Sequence, residues 1–418
     1  MGFASAWLEE SAIFPRFIEE APQNGTGIII VVPSYNEPGI TRLIDSLSLC
    51  DEPDCKVEVI IVINAPADAD AVCRENNRKT GINLEIWRKT HSVYFRLYII
   101  DVTGCAVDGW GVGLARKTGM DEAARRFNQT DRPDGVILNL DADCTVDRNY
   151  LTAVTDELLI RKDRSACSIY FEHPLSGNEF PEVTYDSIVL YELHLRYYLQ
   201  GLAWSGFPWV HHTVGSAIAV RALAYVKAGG MNRRQAGEDF YFIQKLVPAG
   251  GYFNLNLTVV HPSPRSSFRV PFGTGATISR LTGTGKILLT YNILAFRELK
   301  VFFSLIDAIF RCSANDLEHL YLSLPAGIKD FIPETEWTLK ILEIKRNTKG
   351  VDSFRKRFFY WFNMFRIVKY LNKLHESRFE KKPVPESASE LLRELGSDPV
   401  ADDPVSLLLY YRKLEKPF

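Results

Sequence analysis

The chain has 418 residues, of which 46% are apolar and 24% charged, a globular composition that excludes intrinsic disorder and supports a sizeable core. Lysine and arginine total 49 against 51 for aspartate and glutamate, so the net charge of −2 gives no whole-chain reason to expect nucleic-acid binding. The seven cysteines show no CxxC spacing, which favours reduced thiols over a disulfide framework or a zinc site. No apolar run approaches the ~20 residues that span a bilayer, and the first residues lack the pattern of a secretory signal. We therefore expect a cytoplasmic location, with the inner face of the membrane as an alternative.

Apolar, β-branched segments alternate with helical patterns through the first half of the chain. Strands are predicted over 27–33, 56–64, 96–102, 135–143, 211–222 and 251–261. Helices are predicted over 39–50, 69–80, 113–127, 174–208 and 237–251, and the chain reads as helical from 286 to its end. Strands that alternate with helices indicate βαβ units and a largely parallel sheet with both faces covered.

The segment 136–151 contains the most informative pattern. An apolar run of strand length ends in Asp141 and Asp143, and the carboxyl end of such a strand faces the ligand crevice of an open α/β sheet. Paired carboxylates there suit Mg²⁺ or Mn²⁺, most usefully when the ligand carries a diphosphate. The alternative is an acidic turn before a helix, although Asp147 and Asn149 could cap that helix. Both interpretations stay open at this point.

Two further segments could contact a nucleotide. In 33–37, Pro33 ends a strand, Tyr35 offers a ring on which a base could stack, and Glu37 opens a helix, although a simple strand-to-helix turn has the same pattern. In the second segment, glycines 109, 111 and 113 could let phosphates approach the backbone, just before Arg116 and Lys117.

An acidic pair, Glu238 and Asp239, precedes an aromatic helix. Acids at a helix N-terminus complement the helix dipole, which stabilises by less than ~1 kcal/mol each. A paired acid in a cleft could instead serve as a general base with a raised pKa.

Taken in order, these motifs resemble the GT-A glycosyltransferases, most closely family 2 of the glycosyltransferases. The resemblance covers about 25–261 and rests on P-x-Y-N-E after a strand, G-x-x-x-A-R-x-x-G, D-A-D after a strand, and E-D before a helix. It implies a GT-A fold, a UDP- or GDP-sugar donor, a Mn²⁺ or Mg²⁺ cofactor and inverting transfer of a hexosyl group.

The resemblance also implies roles for individual residues. Asp239, beside Glu238, matches the general base, Asp143 matches the metal ligand, and His261 lies where some GT-A enzymes place a further ligand, although a lone strand-end histidine has the same pattern. The implied nucleotide-binding residues are Pro33, Tyr35, Glu37, Asn64, Ala115, Arg116, Gly119 and Asp141. Asn64, with Asp68 nearby, occupies the place of acids that read the base, so the base stays open.

The predicted organisation is an N-terminal extension (1–24), a GT-A catalytic domain (25–270) and a helical C-terminal region (271–418). Expected acceptors are a glycan, a lipid-linked molecule or a small molecule, as in envelope polysaccharide or glycolipid biosynthesis. A basic, aromatic stretch at 355–378 predicts either a peripheral membrane helix or, as we favour, a helix packed on the catalytic domain with its basic residues in solvent.

Four other functions compete with this one. A retaining GT-A transferase fits if His261 binds metal. A sugar nucleotidyltransferase would carry a glycine-rich loop after the first strand, where this chain has PSYNEPG. A Rossmann dehydrogenase would place its glycine fingerprint after the first strand of the unit, which these glycines do not follow. A non-catalytic carbohydrate-binding protein would not need Asp143 and Asp239.

Overall fold

The computed structural model describes residues 2–105, 111–233, 237–267, 273–284, 287–397 and 402–416. The chain forms two compact units: the first comprises 1–180, 213–276 and 416–418, and the second comprises 181–212 and 277–415. The predicted boundary at 270 and 271 lies outside the described residues, and the three-part division remains a prediction.

The first unit is built on one sheet. Its strands are β1 (Thr26–Ser34), β2 (Lys56–Ile63), β3 (Phe95–Asp101), β4 (Val136–Asn139), β5 (Thr145–Val146), β6 (Ala166–Phe171), β7 (Ile218–Arg221) and β8 (Tyr252–His261). Their order is β3-β2-β1-β4-β7-β6-β8-β5. β1 to β4 pair in parallel, β7 runs antiparallel to β4 and β6, and β8 is parallel to β6. This largely parallel mixed sheet with flanking helices confirms the predicted α/β fold class.

The helices alternate with strands in the first unit and dominate the second. They are α1 (Ser5–Ser11), α2 (Thr41–Ser48), α3 (Ala71–Thr90), α4 (Val112–Gln129), α5 (Tyr150–Val154), α6 (Glu182–Ser205), α7 (Ala222–Lys227), α8 (Glu238–Leu246), α9 (Thr274–Thr284), α10 (Ile293–Ser304), α11 (Ile306–Arg311), α12 (Leu317–Leu322), α13 (Ala326–Phe331), α14 (Glu334–Arg346), α15 (Val351–Trp361), α16 (Met364–Ser377), α17 (Val384–Glu394) and α18 (Pro404–Glu415). A π-helical turn (Thr155–Ile160) continues α5, and a 3₁₀ turn (Val247–Ala249) follows α8.

The centre of the sheet is dry because helices cover it. All of β1 is buried, and α4 packs against β1 and β2. Gly119 permits this close approach, since a Cβ there would lie 2.4 Å from Cγ1 of Val31. The one acid inside β2, Glu58, is fully buried and accepts a 2.8 Å hydrogen bond from Nη2 of Arg126, which offsets the cost of its burial.

The second unit has a core rich in aromatic side chains. Helix α6 packs against α10, α17 and α18. The basic, aromatic stretch forms two helices, α15 and α16, and the rings of Phe358 and Phe362 are fully buried against Phe302. The stretch therefore packs into the core of the second unit, whereas its packing on the catalytic domain stays a prediction. Among the residues described, no helix is both long and apolar enough to cross a membrane.

Several elements differ from the sequence predictions, and β4 ends at Asn139 instead of at 143. β6 was not predicted at all, α3 extends to Thr90 instead of ending near Thr80, and β7 is four residues long instead of twelve. The segment after 286 also contains a short antiparallel pair, β9 (Leu289–Thr290) and β10 (Lys382–Pro383), where only helices were expected.

Candidate active site

Acidic side chains collect at one edge of the sheet. β1 to β4 end there, and so do β6 and β8, because β7 is antiparallel to both of its neighbours. Glu37 follows β1, and Asp141 and Asp143 follow β4. Glu238 and Asp239 start α8 and join the same group through Arg116. The structure therefore brings together five of the acids that the sequence singles out.

The turn after β1 is held by asparagines of α3. Asn36 has a left-handed backbone (φ 54°), and its N–H donates to Oδ1 of Asn77 at 2.9 Å. Asn76 Nδ2 donates to Oδ1 of Asn36 at 2.7 Å. Asn64, the predicted base-reading residue, is buried, and its Nδ2 donates to the Ser34 carbonyl at 3.0 Å. These hydrogen bonds hold the turn that positions Glu37.

Arg116 connects the end of β4 to the start of α8. Only 4% of the residue is exposed, and its Nη1 donates to Glu238 while its Nη2 donates to Asp141. Burial lowers the pKa of Arg116, but the carboxylates of Asp141 and Glu238 outweigh burial and raise the pKa above its ordinary value. Both terminal nitrogens of Arg116 thus donate to carboxylates of the protein. The sequence resemblance implied instead that Arg116 binds the nucleotide.

Gly215 determines where that guanidinium lies. A Cβ at Gly215 would fall 2.4 Å from Nη1 and 2.6 Å from Cζ of Arg116, distances that no real side chain tolerates. Gly215 stands just before β7, so the antiparallel strand brings it to the acidic edge. Only glycine admits Arg116 in its observed position, and the sequence analysis did not identify this residue.

The acidity of Asp239 is strongly altered. Its pKa is raised from the ordinary 3.8 to about 7, because burial disfavours the charged form and the carboxylate of Glu238 repels a second charge. Arg116 acts in the opposite direction. Oδ1 of Asp239 accepts a 2.7 Å hydrogen bond from the N–H of Phe240, which orients the carboxyl group. A carboxyl group with a pKa near 7 can accept and release a proton at physiological pH.

Arg265 makes a second bridge among the acids. It follows the end of β8 by four residues, and its Nε donates to Oδ2 of Asp143 at 2.7 Å while its Nη2 donates to Glu37. Burial lowers the pKa of Arg265, but Asp143 and Glu37 outweigh burial and raise it. Arg265 was not predicted, because its only signal in the sequence is that it follows the strand ending at His261.

The predicted metal ligands are not gathered into a cluster. His261 Nε2 lies 2.8 Å from Oδ1 of Asp147, and its Nδ1 lies 3.2 Å from the Glu172 carbonyl oxygen. Within the described ranges, no group of three or more His, Cys, Asp or Glu side chains could hold a metal ion. The hard carboxylate oxygens of Asp143 and Glu37 nevertheless suit Mg²⁺ or Mn²⁺, and they already share one positive group, Arg265.

The remaining predicted nucleotide residues lie at or beneath this edge. Pro33 and Ala115 are buried, Tyr35 is partly exposed, and Gly119 packs α4 onto β1. Of the three glycines predicted to approach phosphates, Gly109 lies outside the described residues, Gly111 caps α4 and Gly113 is buried within it.

No protein-family model matches the chain, and no curated protein matches it. It is similar to solved structures of TarS 1–349 from S. aureus in complex with UDP-GlcNAc (15% identity over 80% of this chain and 91% of that chain, TM-score 0.41) and of the mannosyltransferase PcManGT from Pyrobaculum calidifontis with GDP-Man and Mn²⁺ (14% identity over 99% and 92%, TM-score 0.37). A third is glucosyl-3-phosphoglycerate synthase from Mycobacterium tuberculosis with Mn²⁺, UDP and phosphoglyceric acid (15% identity over 56% and 70%, TM-score 0.33). These structures are of GT-A-type glycosyltransferases.

Proposed function

We propose that the chain is a glycosyltransferase that moves a hexosyl group from a nucleoside-diphosphate sugar to an acceptor hydroxyl. The observation that carries this proposal is the position of Asp239, whose pKa is about 7, beside the ion pairs that the buried Arg116 makes with Asp141 and Glu238 at the ligand edge of the sheet. A raised pKa in a cleft with a specific charge partner is characteristic of a functional acid or base.

In the proposed reaction, Asp239 is the general base. Its carboxylate takes the proton of the acceptor hydroxyl as that oxygen bonds to the anomeric carbon, and the bond from that carbon to the diphosphate oxygen breaks. The products are the glycosylated acceptor, protonated Asp239 and the nucleoside diphosphate. Glu238, held by Arg116, is a positioning residue that keeps the pKa of Asp239 high.

The leaving diphosphate needs positive charge close to it. A divalent cation held by Asp143, with Glu37 nearby, would supply that charge and polarise the leaving group when bound. Tyr35, partly exposed just after β1, would stack on the base of the donor. The donors to test first are UDP- and GDP-sugars.

The test is a panel of nucleotide sugars, with released nucleoside diphosphate measured in the presence and absence of Mn²⁺ and a set of glycan, lipid-linked and small-molecule acceptors. We expect Asp239→Asn to abolish transfer and to leave donor binding by calorimetry nearly intact. Asp54→Asn, which changes an exposed acid in the first unit, is the matched control and should behave as wild type. Turnover by Asp239→Asn close to that of wild type would refute the assignment of the base.

A single base acting opposite the leaving group implies inversion at the anomeric carbon. Proton NMR of the first-formed product would show the inverted anomer. A retained configuration would remove the role given to Asp239 and favour the retaining alternative.

A further inference from the structure

The guanidinium of Arg265 is bonded to the carboxylates that would hold the proposed cation. Arg265 ties together two acids from different strand ends: Nε lies 2.7 Å from Oδ2 of Asp143, and Nη2 donates to Glu37. Glu37 is 5% exposed, and about a quarter of each of the Arg265 and Asp143 side chains is exposed. The contact is therefore partly buried but can be reached from solvent.

Two like-charged carboxylates held close together repel each other, and the repulsion grows as they leave water. The Arg265 guanidinium relieves it with a charge-assisted hydrogen bond to each acid. A divalent cation at Asp143 would compete for the same carboxylate and would repel the guanidinium. Arg265 and the cation are thus alternatives at Asp143.

Arg265 lies outside regular secondary structure, four residues beyond β8, and a guanidinium also binds phosphate oxygens in the same forked geometry. A diphosphate arriving at this edge would give Arg265 a new anionic partner as Asp143 is released.

We propose that the guanidinium of Arg265 competes with a divalent ion for the carboxylate of Asp143. It neutralises Asp143 and Glu37 in the free protein, lowers the affinity of that protein for a divalent ion, and exchanges Asp143 for the diphosphate of the donor. This inference rests on the proposed function for the identity of the anion, but the competition between Arg265 and the cation does not.

The test measures Mn²⁺ binding to the full chain by electron paramagnetic resonance, without nucleotide. Removal of Arg265 should tighten Mn²⁺ binding about tenfold or more, since hydrogen bonds to charged groups typically contribute at that level. The proteins compared are wild type, Arg265→Gln, Arg265→Lys and the control Arg148→Gln, which removes the same charge from an exposed ion pair with Asp51. The lysine variant should stay close to wild type, and the control should change little.

The gain in affinity must also depend on Asp143. The double variant Arg265→Gln with Asp143→Asn should show no gain in Mn²⁺ affinity. A gain that persists in the double variant would mean that the ion binds elsewhere and would overturn the proposal. Mn²⁺ affinity that is unchanged or weaker in Arg265→Gln would overturn it too, as would undetectable Mn²⁺ binding in both proteins.

The exchange step is measured separately, with UDP and GDP in the presence of saturating Mn²⁺. Arg265→Gln should bind the preferred nucleotide about tenfold more weakly than wild type. Equal nucleotide affinity would refute the exchange onto diphosphate. If neither nucleotide binds wild type, the proposed donor class fails together with the exchange step, while the Mn²⁺ result still decides the competition.

Discussion

Replacing Asp239 by asparagine should stabilise the first unit at alkaline pH. In the folded protein the pKa of Asp239 is raised from 3.8 to about 7. Between about pH 4 and pH 7 the folded protein therefore keeps a proton on Asp239 that the unfolded chain has released. The free energy of unfolding therefore falls as pH rises from about 4 to about 7 and then stays level. A pKa difference of about three units corresponds to about 4 kcal/mol, which is the largest loss of folding free energy that ionisation of Asp239 can cause.

An asparagine at 239 carries no charge to bury, and its Oδ1 can still accept from the N–H of Phe240. The variant should be more stable than wild type at pH 8, and this advantage should grow by about 2–3 kcal/mol between pH 5 and pH 8. Urea denaturation followed by tryptophan fluorescence at both pH values measures it, with Asp54→Asn as the surface control, expected within about 0.5 kcal/mol of wild type. A stability difference that does not vary with pH, or a variant less stable than wild type at pH 8, would refute the reasoning.

Three other predictions concern the pH dependence of transfer, the glycine beside the guanidinium and the second unit. Transfer should rise with pH and level off above pH 7, with about one tenth of the plateau rate at pH 6, because Asp239 must be ionised to act; a rate independent of pH between 5 and 8 would contradict this. Gly215→Ala should displace Arg116 and lower turnover at least about tenfold, whereas Gly39→Ala, where a Cβ meets nothing within 4 Å, should leave turnover unchanged; equal rates would contradict the steric argument. Phe362→Ala should lower the free energy of unfolding by about 3–5 kcal/mol in denaturation experiments, since its ring is fully buried, and a loss under about 1 kcal/mol would mean that the ring is not part of a packed core.

Most of the sheet could be predicted because burial on both faces leaves a continuous apolar run. β1 and β2 have such runs, and both were found. β6 was missed because ACSIYF combines small and polar residues with apolar ones, and its strand conformation depends on pairing with β7 and β8, far away in sequence. The limits of α3 were also misjudged, since a polar surface helix carries little apolar periodicity to mark its end.

The acids of the site could be predicted because each stands at a recognisable point of the chain. Asp141 and Asp143 come just after a buried strand, and Glu238 and Asp239 begin a helix. Their partners could not be predicted, because the contact from Arg265 to Glu37 spans more than two hundred residues and the glycine that admits Arg116 has no local pattern.

The charge balance at this edge explains why a donor diphosphate would need an additional cation. Five carboxyl groups, those of Glu37, Asp141, Asp143, Glu238 and Asp239, meet two guanidinium groups, Arg116 and Arg265. With Asp239 protonated, these seven groups still carry a net charge of about −2, and a diphosphate entering alone would be repelled. A divalent ion offsets that charge, and Arg265, once released from Asp143, adds its own positive charge on the side of the phosphates. Arg116, buried and paired with Asp141 and Glu238, takes no part in that exchange, so burial and Glu238, which raise the pKa of Asp239 to about 7, are unaffected by the movement of Arg265.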